Sequence, residues 1–367
     1  VYLEDWSNGI MNSPDYVFFL IDNLKELPAM RFMLPDTLGI LNPSQTYEYC
    51  SKMVEKYPEI KFDFHGHNDY DMAVANSYMA LKAGFSGIHT AVNGLGERAG
   101  NTPLSSIIGV INDHLSDFET GVDESNLNSI SKLIEAFSGI RIPVNKPIIG
   151  ENVFTQTCGV HADGDKKGNL YFNKLIPERF GRLRKYALGK TSGKASILKN
   201  LEELGIFLEN DAIARVTQKI VELGDKKESI TTEDLPFIVS DVLKTDYLTE
   251  KVKLINYYIC HAQNLSPVAT LKIEIDNVVY EETATGDGQY DAFMKALSKI
   301  YTHLGKTLPT LVDYIVTIPP GGKTNALVET VITWFKDKEF KTRGLDSDQT
   351  ASSIKATIKM LNLIEQD

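Results

Sequence analysis

The first 112 residues repeat one unit, in which a short apolar run of strand type is followed by polar residues and then by a helix signal. The apolar runs lie at residues 1–3, 31–34, 60–64 and 87–92. Capping residues precede a proline, a preferred first helical residue, at Ser13-Pro14, Asn42-Pro43 and Thr102-Pro103. Regular alternation of strands and helices predicts a parallel α/β fold, either a (β/α)8 barrel or a doubly wound sheet.

Polar residues cluster immediately after each predicted strand. They are Glu4-Asp5, Asp36-Thr37, the segment from His65 to Asp69 and the segment from Asn93 to Asn101. The carboxyl ends of parallel strands meet at one edge of a sheet, where α/β enzymes place their active sites. The sequence therefore predicts that these four segments build one site.

His65 and His67 are separated by one residue on a segment expected to be extended. Side chains at positions i and i+2 of a strand project from the same face, so both imidazoles are available to one divalent metal. Zinc, magnesium and manganese all suit two histidines combined with oxygen ligands, and the residues leave the metal open. His89, His114, His261 and His303 are expected to be structural.

Composition narrows the class of protein. The chain has 367 residues, 43% of them hydrophobic, and a net charge of −11, which disfavours nucleic-acid binding. It contains no apolar run of about 18 residues that would span a bilayer. Cys50, Cys158 and Cys260 are far apart and form no CxxC motif, which favours the reducing cytoplasm.

The number of repeats is smaller than a complete barrel requires. A (β/α)8 barrel needs eight strand-helix units, whereas four precede residue 112. We therefore expect residues 1–112 to be the C-terminal half of such a barrel, in a fragment or beside a partner that supplies the rest. Residues 113–249 are expected to form helical linker subdomains that cover the active site and contact a second subunit.

Residues 250–367 have a different pattern and are expected to form a separate α+β domain. Strands are predicted at 252–259, 269–275 and 314–318, and helices at 291–304 and 350–361. A polar turn precedes each helix, at 286–292 and 345–351, which indicates a duplicated strand-strand-helix unit. The glycines of these turns have two interpretations, a ligand site or turn formation alone.

Five motifs together resemble the 2-isopropylmalate synthase family, and more narrowly its (R)-citramalate synthase branch. They are Leu34-Pro35-Asp36-Thr37-Leu38-Gly39, His65-Gly66-His67-Asn68-Asp69, the segment from Asn93 to Asn101, the segment from Gly159 to Gly164 and the segment from Leu188 to Gly193. The resemblance implies a metal-dependent barrel that condenses acetyl-CoA with a 2-oxo acid, either 2-oxoisovalerate or pyruvate. It also implies a C-terminal domain that binds leucine or isoleucine as a feedback inhibitor.

The resemblance implies a role for several further residues. Asn101 is expected beside the metal as a ligand or a supporting group, Thr37 on the carboxylate of the 2-oxo acid, and Glu4 as a base or as the residue that orients it. His161 and Tyr171 belong to a subdomain that reaches into the neighbouring subunit, which implies a homodimer. Gly286, Asp287, Gly288, Tyr290 and Asp291 are the candidate effector-binding residues.

The sequence departs from the family pattern in two respects. The family's metal-binding aspartate, with a nearby arginine and glutamine, lies on the first barrel strand, which is expected to precede Val1, so the site in this chain is expected to be incomplete. Asp71 stands where the family usually has glycine. Because Asp71 is not among the ligands, we expect altered packing there and no loss of the metal.

Each assignment has a structural alternative. Asn101 and Glu4 suit helix caps, Thr37 suits a turn, and Tyr171 suits a packed interface. The basic residues between Lys166 and Lys194 suit either the phosphates of CoA or a solvated or interfacial surface. Two other functions also remain open, namely a carbon-carbon lyase built on the same barrel and a catalytically inactive amino-acid-binding module.

Overall fold

The computed structural model describes residues 1–156, 173–190, 192–204, 206–225, 230, 232–243, 250–318 and 327–366. His161, Tyr171 and Cys158 lie outside these residues. The described chain forms two compact units. The first contains Val1–Thr155 and residues 173–185, and the second contains Gln156 and the described residues from Tyr186 onward.

The first unit contains a parallel sheet of three strands, β1 (Phe32–Asp36), β2 (Phe62–Gly66) and β3 (Gly87–His89), in that order across the sheet. Tyr2 forms an isolated parallel bridge to Met33, so the first predicted strand is reduced to one bridged residue beside β1. Strands and helices alternate as the sequence predicts, and the α/β fold of this region is confirmed. In register, Pro35 pairs with His65 and His65 with His89.

The helices of this unit are α1 (Trp6–Asn12), α2 (Pro14–Leu24), α3 (Pro43–Lys56), α4 (Ala73–Lys82), α5 (Leu104–His114) and α6 (Leu127–Ser138). Asn42 and Gln45 form a reciprocal capping box at α3. Ser13 precedes α2 as predicted but makes no side-chain capping bond there. Helix α1 was not predicted from the sequence. It is seven residues long and begins after Asp5, a residue in the left-handed region with φ 56° and no side-chain capping bond.

The hydrophobic core of this unit lies where the sheet meets its helices. Leu34 and Phe64 are fully buried on β1 and β2, and Trp6, Ile21 and Met53 pack against them from the helices. Burying a large apolar side chain contributes about 1.5–3 kcal/mol. This core fixes the strands, and therefore also fixes where each chain segment leaves the sheet at its carboxyl end.

Short strands and helices follow: β4 (Thr155–Gln156), β5 (Lys185–Tyr186), α7 (Lys194–Glu203), α8 (Asn210–Asp225) and α9 (Leu235–Leu243). The three helices share a small core that includes Ile197, Val216 and Leu235. Among the residues described, no helix is both long and apolar enough to cross a membrane.

The C-terminal part contains two repeats of one arrangement, three strands followed by a helix. The first has strands β6 (Val252–Cys260), β7 (Val268–Ile275) and β8 (Val278–Thr285) followed by α10 (Gln289–His303). The second has β9 (Thr310–Thr317), β10 (Val328–Phe335) and β11 (Glu339–Asp346) followed by α11 (Gln349–Ile364). Each sheet is antiparallel, with β7 or β10 in the middle.

The duplication is therefore present, but each unit has three strands and a helix rather than the expected two strands and a helix. The strands missed were β8, β10 and β11. β8 and β11 are rich in charged and polar residues, and most of the β8 side chains are exposed, so their sequences lack the apolar alternation of a half-buried strand. Tertiary pairing with β7 and β10 overrides this weak local signal.

Candidate metal and substrate site

The four polar segments predicted to form one site do converge at the carboxyl ends of the parallel strands. His65 lies near the end of β2 and His67 just beyond it, while Thr37 directly follows β1. Asn101 reaches the same place from the loop after β3, because its backbone forms an isolated antiparallel bridge with His67. The structure therefore brings together His65, His67, Asn101 and Thr37, as strand topology requires.

The two imidazoles are adjacent and nearly perpendicular, with ring centroids 5.1 Å apart and an interplanar angle of 77°. The Nδ1 atoms of both histidines and the Oδ1 atom of Asn101 are buried and have no hydrogen-bond partner. Buried polar atoms are normally paired, because an unpaired one costs about 1–3 kcal/mol. Two nitrogens and one oxygen left free at one place fit a divalent cation.

These three atoms could supply only part of a set of metal ligands. Within the residues described, no group of three or more His, Cys, Asp or Glu side chains is arranged to hold a metal. Burial lowers the pKa of His65, and the neighbouring His67 and His89 lower it further. A lowered pKa keeps the imidazole neutral, which is the form that binds metals.

Glycines in the loop after β3 hold Asn101 in place. Gly100 has φ +87°, and a Cβ atom there would lie 2.0 Å from the carbonyl oxygen of Gly94. A Cβ atom on Gly96 would lie 2.5 Å from Nδ2 of Asn101. That nitrogen donates to the carbonyl of Leu95 at 3.2 Å, which leaves Oδ1 free. The glycines of this motif are therefore required by close packing around the Asn101 side chain.

Glu4 and Thr37, the two other residues predicted here, contact each other directly. The Thr37 hydroxyl donates to Oε1 of Glu4 at 2.8 Å and accepts from the backbone N–H of Asp5 at 3.0 Å. Glu4 also lies close enough to His65 to oppose the lowering of its pKa. These two bonds support the turn role that is the structural alternative for Thr37, whereas its expected role on the carboxylate of the 2-oxo acid stays a prediction.

Sequence reasoning missed three residues beside this site. Arg98 donates twice to the carboxylate of Asp69, at 2.7 and 2.9 Å, and once to the carbonyl of Thr37 at 2.7 Å. His89 stands edge-on to His65, with ring centroids 5.8 Å apart. Their positions in the sequence could have indicated these three residues, because Asp69 and Arg98 lie in the polar segments after β2 and β3 and His89 ends β3.

Asp71 has a backbone φ of +58°, in the left-handed region that glycine tolerates best. The conformation is held by Asn68, whose Nδ2 donates to Oδ1 of Asp71 at 3.1 Å. Oδ1 of Asn68 in turn accepts from the N–H of Ala73 at the start of α4. Asp71 therefore occupies a strained turn supported by a side-chain bond, and the expected change of packing relative to the family stays a prediction.

Two residues of the basic segment make internal bonds. Arg179 pairs with Glu124 at 2.7 Å and with Asp113 at 2.9 Å. Arg182 donates to backbone carbonyls of Ile148, Gly150 and Glu151 and stacks over Phe154. These two guanidinium groups therefore hold the first unit together, which disfavours a role for them in binding the phosphates of CoA.

The candidate effector residues lie in the turn before α10. The N–H of Asp287 donates to Oδ2 of Asp291 at 2.8 Å, and Asp291 pairs with Lys295 at 2.7 Å. The Tyr290 hydroxyl bonds to Thr357 of α11 at 2.7 Å, and burial raises the pKa of Tyr290. A Cβ atom on Gly286 would lie 2.3 Å from the nitrogen of Ala292, so this turn also needs glycine for packing.

Three family models match successive parts of the chain. The HMGL-like model covers residues 7–134, the homocitrate synthase post-HMGL domain-like model covers 148–228, and the LeuA allosteric (dimerisation) domain covers 229–365. A solved HMG-CoA lyase from Bacillus subtilis is 27% identical with a TM-score of 0.33, covering 35% of this chain and 45% of that one.

Two curated relatives come from Methanocaldococcus jannaschii. Its (R)-citramalate synthase CimA is 30% identical over 364 residues, which are 98% of this chain and 72% of the relative. Its 2-isopropylmalate synthase is 31% identical over 356 residues, 95% of this chain and 67% of the relative. Among the curated relatives compared, the chain spans between 62% and 72% of the relative's length. The chain therefore belongs to the family of 2-isopropylmalate synthases and (R)-citramalate synthases.

Proposed function

We propose that the protein containing this chain is an acetyl-CoA-dependent acyltransferase of branched-chain amino acid biosynthesis. It condenses acetyl-CoA with a 2-oxo acid, and water then hydrolyses the thioester to release a 2-substituted malate and coenzyme A. The observation that carries the proposal is the cluster of unpartnered buried atoms on His65, His67 and Asn101, beside the Glu4–Thr37 pair. Family membership supplies the reaction class.

His65, His67 and Asn101 would hold a divalent cation. When bound, such a cation supplies a Lewis acid that polarises the keto group of the 2-oxo acid. The protein must also remove a proton from the methyl group of acetyl-CoA, a very weak acid, and this needs a correctly placed base. Glu4 is the candidate for that base or for its orienting partner. Thr37 is proposed to bind the carboxylate of the 2-oxo acid, to which its hydroxyl would donate in place of Glu4. His161 and Tyr171 are proposed to assist proton transfer from a second subunit.

The acceptor is proposed to be pyruvate or 2-oxoisovalerate, which differ in the size of their side chains. The two relatives from one organism are 30% and 31% identical to this chain, so overall similarity does not separate the two acceptors. The test is an assay of thiol release from acetyl-CoA with each acid, in protein expressed from its complete coding region. The proposal predicts release that depends on the 2-oxo acid and is lost with a chelator. No release with any 2-oxo acid would contradict it.

A carbon-carbon lyase on the same barrel is the second candidate function, since the HMGL-like model covers residues 7–134. The LeuA allosteric domain at 229–365 favours the synthase, because feedback regulation belongs to a biosynthetic step. Cleavage of a 3-hydroxy-3-methylglutaryl thioester without condensation activity would favour the lyase.

The match to the LeuA allosteric (dimerisation) domain at 229–365 also supports proposals about how the protein is regulated and assembled. We infer that the protein is a homodimer and that leucine or isoleucine binds the duplicated C-terminal domain as a feedback inhibitor. Titration calorimetry with each amino acid tests the effector, and sedimentation tests the dimer. Binding of leucine or isoleucine by a protein without thiol release would instead support the amino-acid-binding module.

A further inference from the structure

Arg98 makes three hydrogen bonds in two directions from the loop after β3. Its Nε and Nη2 donate to the two carboxylate oxygens of Asp69, which lies in the loop after β2. Nη2 also donates to the carbonyl of Thr37, in the loop after β1. One guanidinium group therefore joins three successive loops at the carboxyl edge of the sheet.

The connection extends to the fourth segment through Thr37. Its carbonyl accepts from Arg98, while its hydroxyl donates to Glu4 and accepts from the N–H of Asp5. The polar segments after residue 3 and after each of the strands β1, β2 and β3 thus belong to one hydrogen-bonded network. Arg98 contributes three bonds to it from a left-handed backbone conformation with φ 53°.

Backbone bonds place the metal-site residues inside the same network. The N–H of His67 donates to the carbonyl of Asp36 at 3.2 Å, and the N–H of Asn68 donates to the carbonyl of Gly100 at 2.9 Å. His67 therefore lies between the loop that carries Thr37 and the loop that carries Arg98 and Asn101. A Cβ atom on Gly39 would lie 2.9 Å from Oδ2 of Asp69, so the loop after β1 and the loop after β2 are in close contact as well.

We propose that Arg98 is a positioning residue of this site: by tying Asp69 to the Thr37 carbonyl, it fixes His67 and Asn101 relative to Thr37. This inference rests on the proposed function. It assigns Arg98 no contact with substrate or metal, because all three of its bonds go to protein oxygens. Groups that orient metal ligands typically affect metal affinity or activity by about 10–100-fold when they are changed.

The chain offers a matched control for this ion pair. Arg31 donates from Nε to both carboxylate oxygens of Asp63, at 2.8 and 2.7 Å, and this pair lies at the amino end of β2, opposite the site. In both pairs an arginine of similar exposure, 37% for Arg31 and 38% for Arg98, binds a carboxylate, and Asp63 (12% exposed) is more buried than Asp69 (24%). Lysine keeps the charge but lacks the planar fork, so Arg98→Lys and Arg31→Lys remove the same geometry from opposite ends of the sheet.

The experiment compares wild type, Arg98→Lys, Asp69→Asn and Arg31→Lys in protein expressed from the complete coding region. Mn²⁺ alone is titrated into metal-free protein by calorimetry, thermal unfolding is recorded, and kcat and KM are measured for the 2-oxo acid. We expect Arg98→Lys to weaken Mn²⁺ binding and to lower kcat/KM, each by about 10–100-fold. We expect Arg31→Lys to lower the unfolding temperature at least as much as Arg98→Lys, because Asp63 is the more buried carboxylate, and to leave Mn²⁺ affinity unchanged.

The double variant Arg98→Lys with Asp69→Asn should lose no more Mn²⁺ affinity than Arg98→Lys alone, because both changes break the same connection. Wild-type Mn²⁺ affinity in Arg98→Lys, or an equal loss of affinity in Arg31→Lys, would overturn the proposal. If wild type released no thiol, the proposed reaction would fail, whereas the Mn²⁺ titrations would still decide the role of Arg98.

Discussion

The hydroxyl of Thr37 donates a 2.8 Å hydrogen bond to Glu4, although 33 positions separate the two residues in the chain. The contact joins the segment after the bridged residue Tyr2 to the segment after β1, at the edge where the histidine pair lies. Because its single proton is donated to Glu4 and its oxygen accepts from the N–H of Asp5, the Thr37 hydroxyl is held in one orientation. This relationship links the candidate base to the candidate substrate-binding residue.

Replacing Thr37 by valine removes the hydroxyl with little change of volume. Hydrogen bonds to charged groups contribute about 1.5–3 kcal/mol, so kcat/KM for the 2-oxo acid should fall by about 10–100-fold. Thr37→Ser retains the oxygen and should keep most of the activity. Steady-state kinetics with the 2-oxo acid varied checks this, and equal losses in the two variants would show that the hydroxyl is not responsible.

A methyl group on Gly100 should disrupt the loop that carries Asn101, because the new Cβ would lie 2.0 Å from the Gly94 carbonyl oxygen. Gly139 is the matched control, with φ +69° and open space around it. Both alanine variants bear the left-handed backbone penalty of about 1–2 kcal/mol, and only Gly100→Ala adds the clash. Mn²⁺ titration should show weaker binding for Gly100→Ala alone, and normal binding in both would argue against this arrangement of the loop.

Asp71→Gly should leave metal binding intact. The change relieves a backbone φ of +58° and removes the bond from Asn68, effects of opposite sign that are each about 1 kcal/mol. The free energy of unfolding should therefore change by less than about 1 kcal/mol. Denaturant unfolding and Mn²⁺ titration test both statements. A large loss of Mn²⁺ affinity would show that Asp71 contributes to the site directly.

The turn before α10 offers a test of the effector site. Gly286→Ala places a Cβ 2.3 Å from the nitrogen of Ala292, whereas Gly288→Ala meets nothing within 4 Å. If leucine or isoleucine binds beside this turn, Gly286→Ala should weaken inhibition while thiol release without the amino acid stays normal. Inhibition curves that are identical for wild type and both variants would place the effector elsewhere.

Much of the first unit was predictable because its local signals agree with its tertiary structure. The Asn42-Pro43 pair begins α3 with a capping box, and parallel strand topology alone placed His65, His67 and Thr37 at one edge. Arg98 could not be assigned in the same way. Its three bonds depend on the conformation of two other loops and on its own positive φ, which no local pattern encodes.

The C-terminal domain shows the opposite case. β7 alternates buried and half-buried residues and was predictable, whereas β11 contains Lys341, Arg343 and Gly344 and has no clear apolar face. Packing explains this composition: a Cβ atom on Gly344 would lie 1.8 Å from the carbonyl oxygen of Ser352 in α11, and Arg343 pairs with Glu329 of β10. These requirements come from residues that are distant in sequence, so no local pattern in β11 indicates them.

The most direct test of the account replaces both His65 and His67 by alanine in protein expressed from its complete coding region. Calorimetric titration with Mn²⁺ is followed by an assay of thiol release from acetyl-CoA with pyruvate and with 2-oxoisovalerate. The account predicts that the double variant keeps its fold by circular dichroism, no longer binds Mn²⁺ at the wild-type site and releases no coenzyme A. Undiminished Mn²⁺ binding and thiol release in that variant would contradict the proposal that these two imidazoles hold the metal.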